Sequence, residues 1–383
     1  MSRTLDLVLP GDPTTLTGGY VYDRRVVEGL TKLGVSVRVL RLGDDFPGAS
    51  PASLRAADDL FGSIPDGRAV VVDGLALADL GATLERHAAR LRIVALVHHP
   101  VGDETGLDEP TAAKLRRDER RAWNAARGVI VTSRWTARRI AADGFPTERI
   151  RVVEPGTDRP EALGRRMAGD VGTPARATAD RAKPATATVP SRASASDAPR
   201  LLCVATLTPR KGHAVLLDAL ARIADLPWRL DCVGSATRDP ATAASVRAQV
   251  ARLGLDTRVT LHGEVPHDAL DAFHRSAYAF VLPSFLEGYG IAHADALAYG
   301  LPIVATDAGA VPETVGEAGL LVPPGDVVAL AGALSRLLGD AALHAALSAR
   351  ARERVRSLPT WADTAARFAE AVEALAGSRR SDA

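Results

Sequence analysis

Only two cysteines occur in 383 residues, Cys203 and Cys232, each inside a short apolar run ("LLCVAT", "LDCVGS"). Two cysteines exclude a disulfide framework, and no C-x-x-C is present. They read as buried free thiols on neighbouring strands, which predicts a reducing, cytoplasmic setting. An excess of either charge is lacking too: 47 Lys and Arg stand against 46 Asp and Glu, for a net charge of +1. The balance also holds through the first 160 residues, so nucleic acid is not an expected partner. No run of about 18 apolar residues appears, so no integral membrane segment is expected. The opening "MSRTLDLVLPGDP" lacks the apolar core of a signal peptide. Neither H-x-x-H nor H-E-x-x-H is present, nor any D-x-D, and no bound metal is expected. No G-x-G-x-x-G follows the first strand-like run, which disfavours a dinucleotide-dependent oxidoreductase.

What is present is alternation. In residues 1–160, short β-like runs ("LDLVLP", "SVRVLRL", "AVVVDG", "RIVALVHH", "GVIVTS", "IRVVEPG") are separated by helical Ala/Leu/Arg patterns. Apolar strands alternating with helices predict α/β folding with a doubly wound parallel sheet. Residues 161–199 break the rhythm with Ala, Thr, Pro, Ser and Arg in no period. They cannot bury enough apolar surface to offset their ordering entropy, and are expected to be a flexible linker or insertion. Residues 200–358 resume the alternation as a second domain, with helices expected over 211–225, 240–253, 267–275 and 291–299. Residues 359–383 hold one amphipathic helix, expected to cross back toward the first domain, and a tail. The basic helix "KLRRDERRAWNAAR" interleaves acids and reads as a solvated face, not a membrane surface.

Ligands of open α/β sheets bind at the carboxyl ends of strands, so candidate residues are sought there. "LTPRKGHAVLLDAL" opens a helix at Lys211 and Gly212, with Arg210 before them; it offers a cation and free amides to an anion, or merely a solvated first turn. "FVLPSFLEGYGIAHADAL" ends a strand in Glu287, Gly288, Tyr289, Gly290 and Ile291, with Asp295 inside the following helix. Amides flanked by two carboxylates suit a ligand with phosphates in its middle and hydroxyls at both ends, as in a nucleotide-sugar. A capping acid plus a helix-surface acid would give the same spacing. Gly234, and the Gly263–Glu264–Val265 turn, mean by themselves only a close approach or a loop. Gly18 and Gly19 form a glycine loop or a tight turn after strand one. His98 and His99 end "VALVHH", and an adjacent pair cannot both face the cleft.

These residues resemble the retaining, nucleotide-sugar-dependent glycosyltransferases of family 4, also called glycosyl transferases group 1. The resemblance spans nearly the whole chain outside 161–199. "PSFLEGYGIAHADALAYGLPIVAT" is similar to the family's E-x7-E segment, and "VATLTPRKG" to its G-R-x-x-x-x-K-G segment; the double glycine, the histidine after "VALV" and "VVEPGTD" also fit. It implies GT-B architecture, two Rossmann-like doubly wound domains facing a central cleft, with acceptor binding in the first and donor binding in the second. It implies catalytic roles for His98, Glu287 and Lys211, with Glu287 on the donor sugar and Lys211 on the diphosphate. Asp295 is assigned to ribose, Gly288 to Ile291 to phosphate and sugar, and Gly263 to Val265 to the base; Gly18 and Gly19 are the glycine loop. Two departures stand out: Asp295 replaces the usual Glu, and Thr206 the usual Arg. Sugar transfer from a UDP- or GDP-type donor to a small-molecule, glycan or lipid acceptor is the function implied, without a cofactor, by a monomer or homodimer. A non-catalytic nucleotide-sugar binder and a sugar-nucleotide epimerase are the alternatives.

Overall fold

The computed structural model describes residues 4–159 and 198–377. The linker expected over 161–199 lies outside the described residues, apart from its last two. Twelve strands form two six-stranded sheets among the described residues, and every pairing is parallel.

The first sheet comprises β1 (Thr4–Leu9), β2 (Ser36–Arg41), β3 (Ala69–Asp73), β4 (Arg92–Val97), β5 (Gly128–Val131) and β6 (Ile150–Val152) in the order β2-β1-β3-β4-β5-β6. Its helices are α1 (Gly18–Lys32), α2 (Pro51–Ser63), α3 (Gly74–His87), α4 (Glu109–Ala125) and α5 (Arg134–Ala142). Central strands β3 and β4 are buried at all but their first residue because helices cover both faces, whereas edge strand β2 has no buried residue.

In the second sheet β7 (Arg200–Val204), β8 (Arg229–Val233), β9 (Val259–Gly263), β10 (Ala279–Leu282), β11 (Ile303–Thr306) and β12 (Gly319–Val322) run β12-β11-β10-β7-β8-β9. The helices are α6 (His213–Ala221), α7 (Pro240–Arg252), α8 (His267–Ser276), α9 (Ile291–Ala298), α10 (Val311–Val315), α11 (Val327–Gly339) and α12 (Ala341–Ser357). The helix expected from residue 211 is shorter: Pro209–Lys211 form a 3-10 turn, and Gly212 at φ 70° resets the chain before α6. Cys203 and Cys232 are buried, unpaired and opposite one another on β7 and β8.

The last helix, α13 (Trp361–Gly377), packs on the first sheet, not the second. Its Phe368, Ala371, Val372 and Leu375 join Leu5, Leu7, Leu9, Val94 and Leu96 in one apolar core. Glycine makes the crossing possible: a Cβ on Gly29 would lie 2.4 Å from that of Ala365, and one on Gly156 would lie 2.3 Å from the Trp361 nitrogen. No single helix among the described residues is long and apolar enough to cross a membrane.

Strand order fixes where a ligand can enter. The direction in which successive strands are added reverses between β1 and β3 in the first sheet, and between β7 and β10 in the second. Crevices open at such switch points, beyond the carboxyl ends of the strands.

Candidate active site

Ser50, Asp73, Asp108, Ser133, Asp239, Asp326 and Asp340 cap their helices by accepting first-turn amides. Three helices that begin beside the switch points, α1, α6 and α9, start at Thr17, Gly212 and Gly290 without a side-chain cap, as do α8 and α10, whereas α3 is capped by Asp73. The first-turn amides and dipoles of α1, α6 and α9 remain available to an anion. The amides of Gly288, Tyr289 and Gly290 likewise donate to no backbone carbonyl among the described residues.

A cavity of about 1100 Å³ lies between the sheets. Gly18, Gly19, His98 and His99 line it from the first domain. Arg210, Lys211, Gly234, Glu264, Val265, Asp295 and the Glu287–Ile291 segment line it from the second. Gly263 is not part of the wall; it stands behind, where its carbonyl accepts the Gly234 amide at 2.8 Å. Gly234 must be glycine, since a Cβ there would lie 2.0 Å from the Ala205 carbonyl oxygen.

At the second switch point, Lys211 follows β7 and Glu287 follows β10. Lys211 Nζ donates to Glu287 Oε1 at 2.6 Å, and Ser284 Oγ donates to the same oxygen at 2.6 Å. Burial acts against ionisation of Glu287, but Lys211 and then Arg210 outweigh it and hold the carboxyl at about 2. The same burial lowers the Lys211 pKa against the pull of its partner. Arg210 is divided: it reaches Glu287 Oε2 at only 3.8 Å, donates to the Leu286 carbonyl at 2.8 Å and pairs across the cleft with Glu104 at 2.9 Å. Asp295 sits on α9 facing the Arg25–Asp158 ion pair of the first domain; burial, reinforced by Asp158, raises its pKa to about 7.

The two histidines diverge, as alternation along a strand requires. His98 Nε2 lies 3.2 Å from Asp73 Oδ2 and 3.4 Å from Asp23 Oδ1. His99 Nε2 turns to Glu104 Oε2 at 3.4 Å, and burial lowers its pKa. Gly288 abuts the His98 backbone so closely that a Cβ would meet its carbonyl oxygen at 2.0 Å. The domains also touch where the Trp135 amide donates to Glu313 Oε2 at 3.1 Å.

Several of these partners escaped sequence reasoning. Asp23 lies inside an amphipathic helix and Asp73 looks like a plain strand-end cap; only the fold brings both to His98. The basic helix read as solvated is α4, and it is not wholly so. Trp123 is fully buried, and buried Glu119 accepts the Val101 and Gly102 amides at 2.9 and 3.0 Å, bracing the loop after the histidines. Asp23, Asp73 and His98, and separately Cys203, His213 and Cys232 behind the Lys211 loop, bring their donor atoms within 4.8 Å of one another.

Comparison with known proteins accounts for this geometry. Residues 198–340 match the family described as glycosyl transferases group 1, and residues 7–156 the glycosyl transferase 4-like domain. The GDP-mannose-dependent alpha-(1-6)-phosphatidylinositol monomannoside mannosyltransferase of Mycolicibacterium smegmatis is 30% identical over 318 residues, covering 80% of this chain and 76% of that protein. A D-inositol 3-phosphate glycosyltransferase of Acidothermus cellulolyticus is 33% identical over 234 residues, 58% of this chain and 48% of that one. The structure of sucrose-phosphate synthase from Thermosynechococcus elongatus superposes with a TM-score of 0.74 at 24% identity, covering 96% of this chain and 97% of that one. That likeness identifies the two-sheet arrangement as GT-B architecture, and the family matches do not favour the binder, epimerase or oxidoreductase readings. The chain belongs to the group 1 glycosyl transferases of family 4, and it is an enzyme that moves a sugar from a nucleotide-sugar to an acceptor.

Proposed function

We propose that the chain transfers a hexose from a UDP- or GDP-linked donor to a hydroxyl of a small-molecule, glycan or lipid acceptor, with retention of configuration and without a metal. The observation that carries this reading is the Lys211–Glu287 pair at the second switch point, beside the unpaired amides of Gly288 to Gly290. Lys211 and these amides supply positive potential where the leaving diphosphate would build negative charge, an electrostatic role of oxyanion-hole type. Glu287, held ionised, is an acceptor for sugar hydroxyls. Asp295 on α9 is the acceptor assigned to ribose. The acceptor hydroxyl would attack from the face that the diphosphate leaves, with a donor phosphate oxygen taking its proton. Closure of the Gly288–His98 contact would keep water from the donor.

The relative named for GDP-mannose makes that compound the first donor to test. Nucleoside diphosphate release is measured with GDP-mannose, UDP-glucose and related donors, with and without phosphoinositol-type acceptors, in the presence of EDTA. Acceptor-stimulated release that persists in EDTA, and an α-linked product from an α-linked donor, are expected. A β-linked product would overturn retention, and release abolished by EDTA and restored by a divalent cation would overturn metal independence.

A further inference from the structure

We infer that Asp23 is a positioning residue of the transferase: with Asp73 it sets two carboxylates within 3.4 Å of His98 Nε2 and fixes the imidazole as a charged donor, so that His98 meets the substrate as a cation and not as a base. This rests on the transferase reading above, whose cleft His98 lines.

Asp23 is a costly residue to bury. It lies on α1, is 2% exposed, and neither carboxylate oxygen makes a well-formed hydrogen bond. A buried carboxylate without partners is strongly disfavoured, so the acid serves something other than the helix. Its near neighbour is the His98 Nε2, at 3.4 Å. Asp73 approaches the same nitrogen at 3.2 Å, while its other oxygen accepts the Leu75 amide at 2.9 Å and is thereby fixed. Three adjacent strands arrange this: Asp23 follows β1, Asp73 ends β3 and His98 follows β4. Gly19 permits the approach, since a Cβ there would already lie 3.3 Å from His98 Cδ2.

One carboxylate on an imidazole N–H fixes a tautomer and leaves the second nitrogen basic, as in a hydrolase triad. Two carboxylates favour the imidazolium itself. The other titratable groups near the site are Tyr20 and Tyr22, whose hydroxyls donate to the Pro10 and Val153 carbonyls and are raised by burial and so neutral, with Arg24 acting on Asp23 and His99 beside the ring. Burial alone would strip the His98 proton, but Asp23 and then Asp73 outweigh it and raise its pKa to about 10; burial raises Asp23 to about 6. With Nε2 held, Nδ1 is the ring nitrogen left for a ligand. Protonated, it donates to a sugar hydroxyl or a phosphate oxygen and cannot accept a proton.

The test is a titration of ¹⁵N-histidine-labelled, EDTA-dialysed full-length protein without substrate, with His98 assigned by loss of its signal in His98→Gln. His98 should stay doubly protonated to about pH 9 in the parent and lose its proton at least ~1 pH unit lower in Asp23→Asn. In GDP-mannose turnover, the alkaline fall in kcat of Asp23→Asn should set in at least ~1 pH unit lower than in the parent, with KM changed less than about threefold. Added to His98→Gln, Asp23→Asn should change kcat by less than about twofold. A parent His98 titrating near its ordinary value of about 6.5 overturns the proposal. So does a loss equal at every pH, which marks a merely structural acid, or a His98 signal that responds to stoichiometric Zn²⁺, which marks a cation site. If Asp23→Asn does not fold, the parent titration decides alone. If GDP-mannose is not turned over, the donor reading is in question while the titration still decides this one.

Discussion

The Lys211 ammonium and the Glu287 carboxylate, 76 residues apart in the chain, meet at 2.6 Å where the loops after β7 and β10 converge. The pair sits at the switch point of the second sheet, and its burial makes each partner depend on the other. A donor diphosphate arriving there must share the cation with Glu287.

Lys211→Ala should therefore act twice. It should weaken nucleoside diphosphate binding by about 1.5–3 kcal/mol, the range for hydrogen bonds to charged groups. It should also destabilise the unliganded protein, because Glu287 is left buried and uncompensated. Titration calorimetry and thermal unfolding read the two effects separately; unchanged affinity would remove Lys211 from the diphosphate site.

Glu287→Gln keeps the shape and removes the charge. Turnover should fall far more than affinity for free nucleoside diphosphate, which carries no sugar. The acid sensitivity of the fold should change as well. Glu287 is held at about 2, below its ordinary value of 4.5. Its contribution is thus complete above the ordinary value and lost as pH falls from there through about 2. Over that window the parent should lose about 2–3 kcal/mol more stability than the variant. Parallel denaturant curves for the two proteins across that range would contradict the pairing.

Asp295 has the opposite sign. Its pKa is raised to about 7 from 3.8, so its contribution is complete below the ordinary value and lost as pH rises through about 7. Asp295→Asn should be more stable than the parent by about 1–3 kcal/mol at pH ~8, with the difference shrinking toward pH ~4. If Asp295 also meets ribose, Asp295→Ala should bind ribo- and 2′-deoxyribonucleoside diphosphates almost equally, while the parent prefers the former. An undiminished 2′-hydroxyl preference in the variant would leave Asp295 without a ribose contact.

Gly288→Ala tests the junction. The added Cβ would stand 2.0 Å from the His98 carbonyl oxygen, and the neighbour is backbone that cannot rotate away. Overpacking of this kind costs about 1–3 kcal/mol. Small-angle scattering should show a more open molecule, and kcat should drop with little change in free nucleotide affinity. A variant as compact and as active as the parent would show that the contact is not needed.

Much of the architecture was legible because it is written in local periodicity. Apolar strands bounded by helices announced two parallel sheets, and the acid and glycines after "AFVLPS" marked a ligand loop. Sequence order placed Lys211, Glu287 and His98 at strand ends, and the parallel rule placed strand ends at the cleft. Electrostatic state was not legible, because it depends on distance and burial. Nothing near Asp23 in "GGYVYDRR" shows that it faces a histidine 75 positions later, and nothing in "KLRRDERRAWNAAR" separates the buried Glu119 from its solvated neighbours. Arg210 and Lys211 are consecutive, yet Arg210 lies nearest Glu104 across the cleft, at 2.9 Å, and Lys211 nearest Glu287, at 2.6 Å. The sequence by itself determined the strands, the glycines and the kinds of side chain at their ends. Tertiary structure alone decided which charges meet, since strand order brings distant loops together and burial there makes a few ångströms decide each proton.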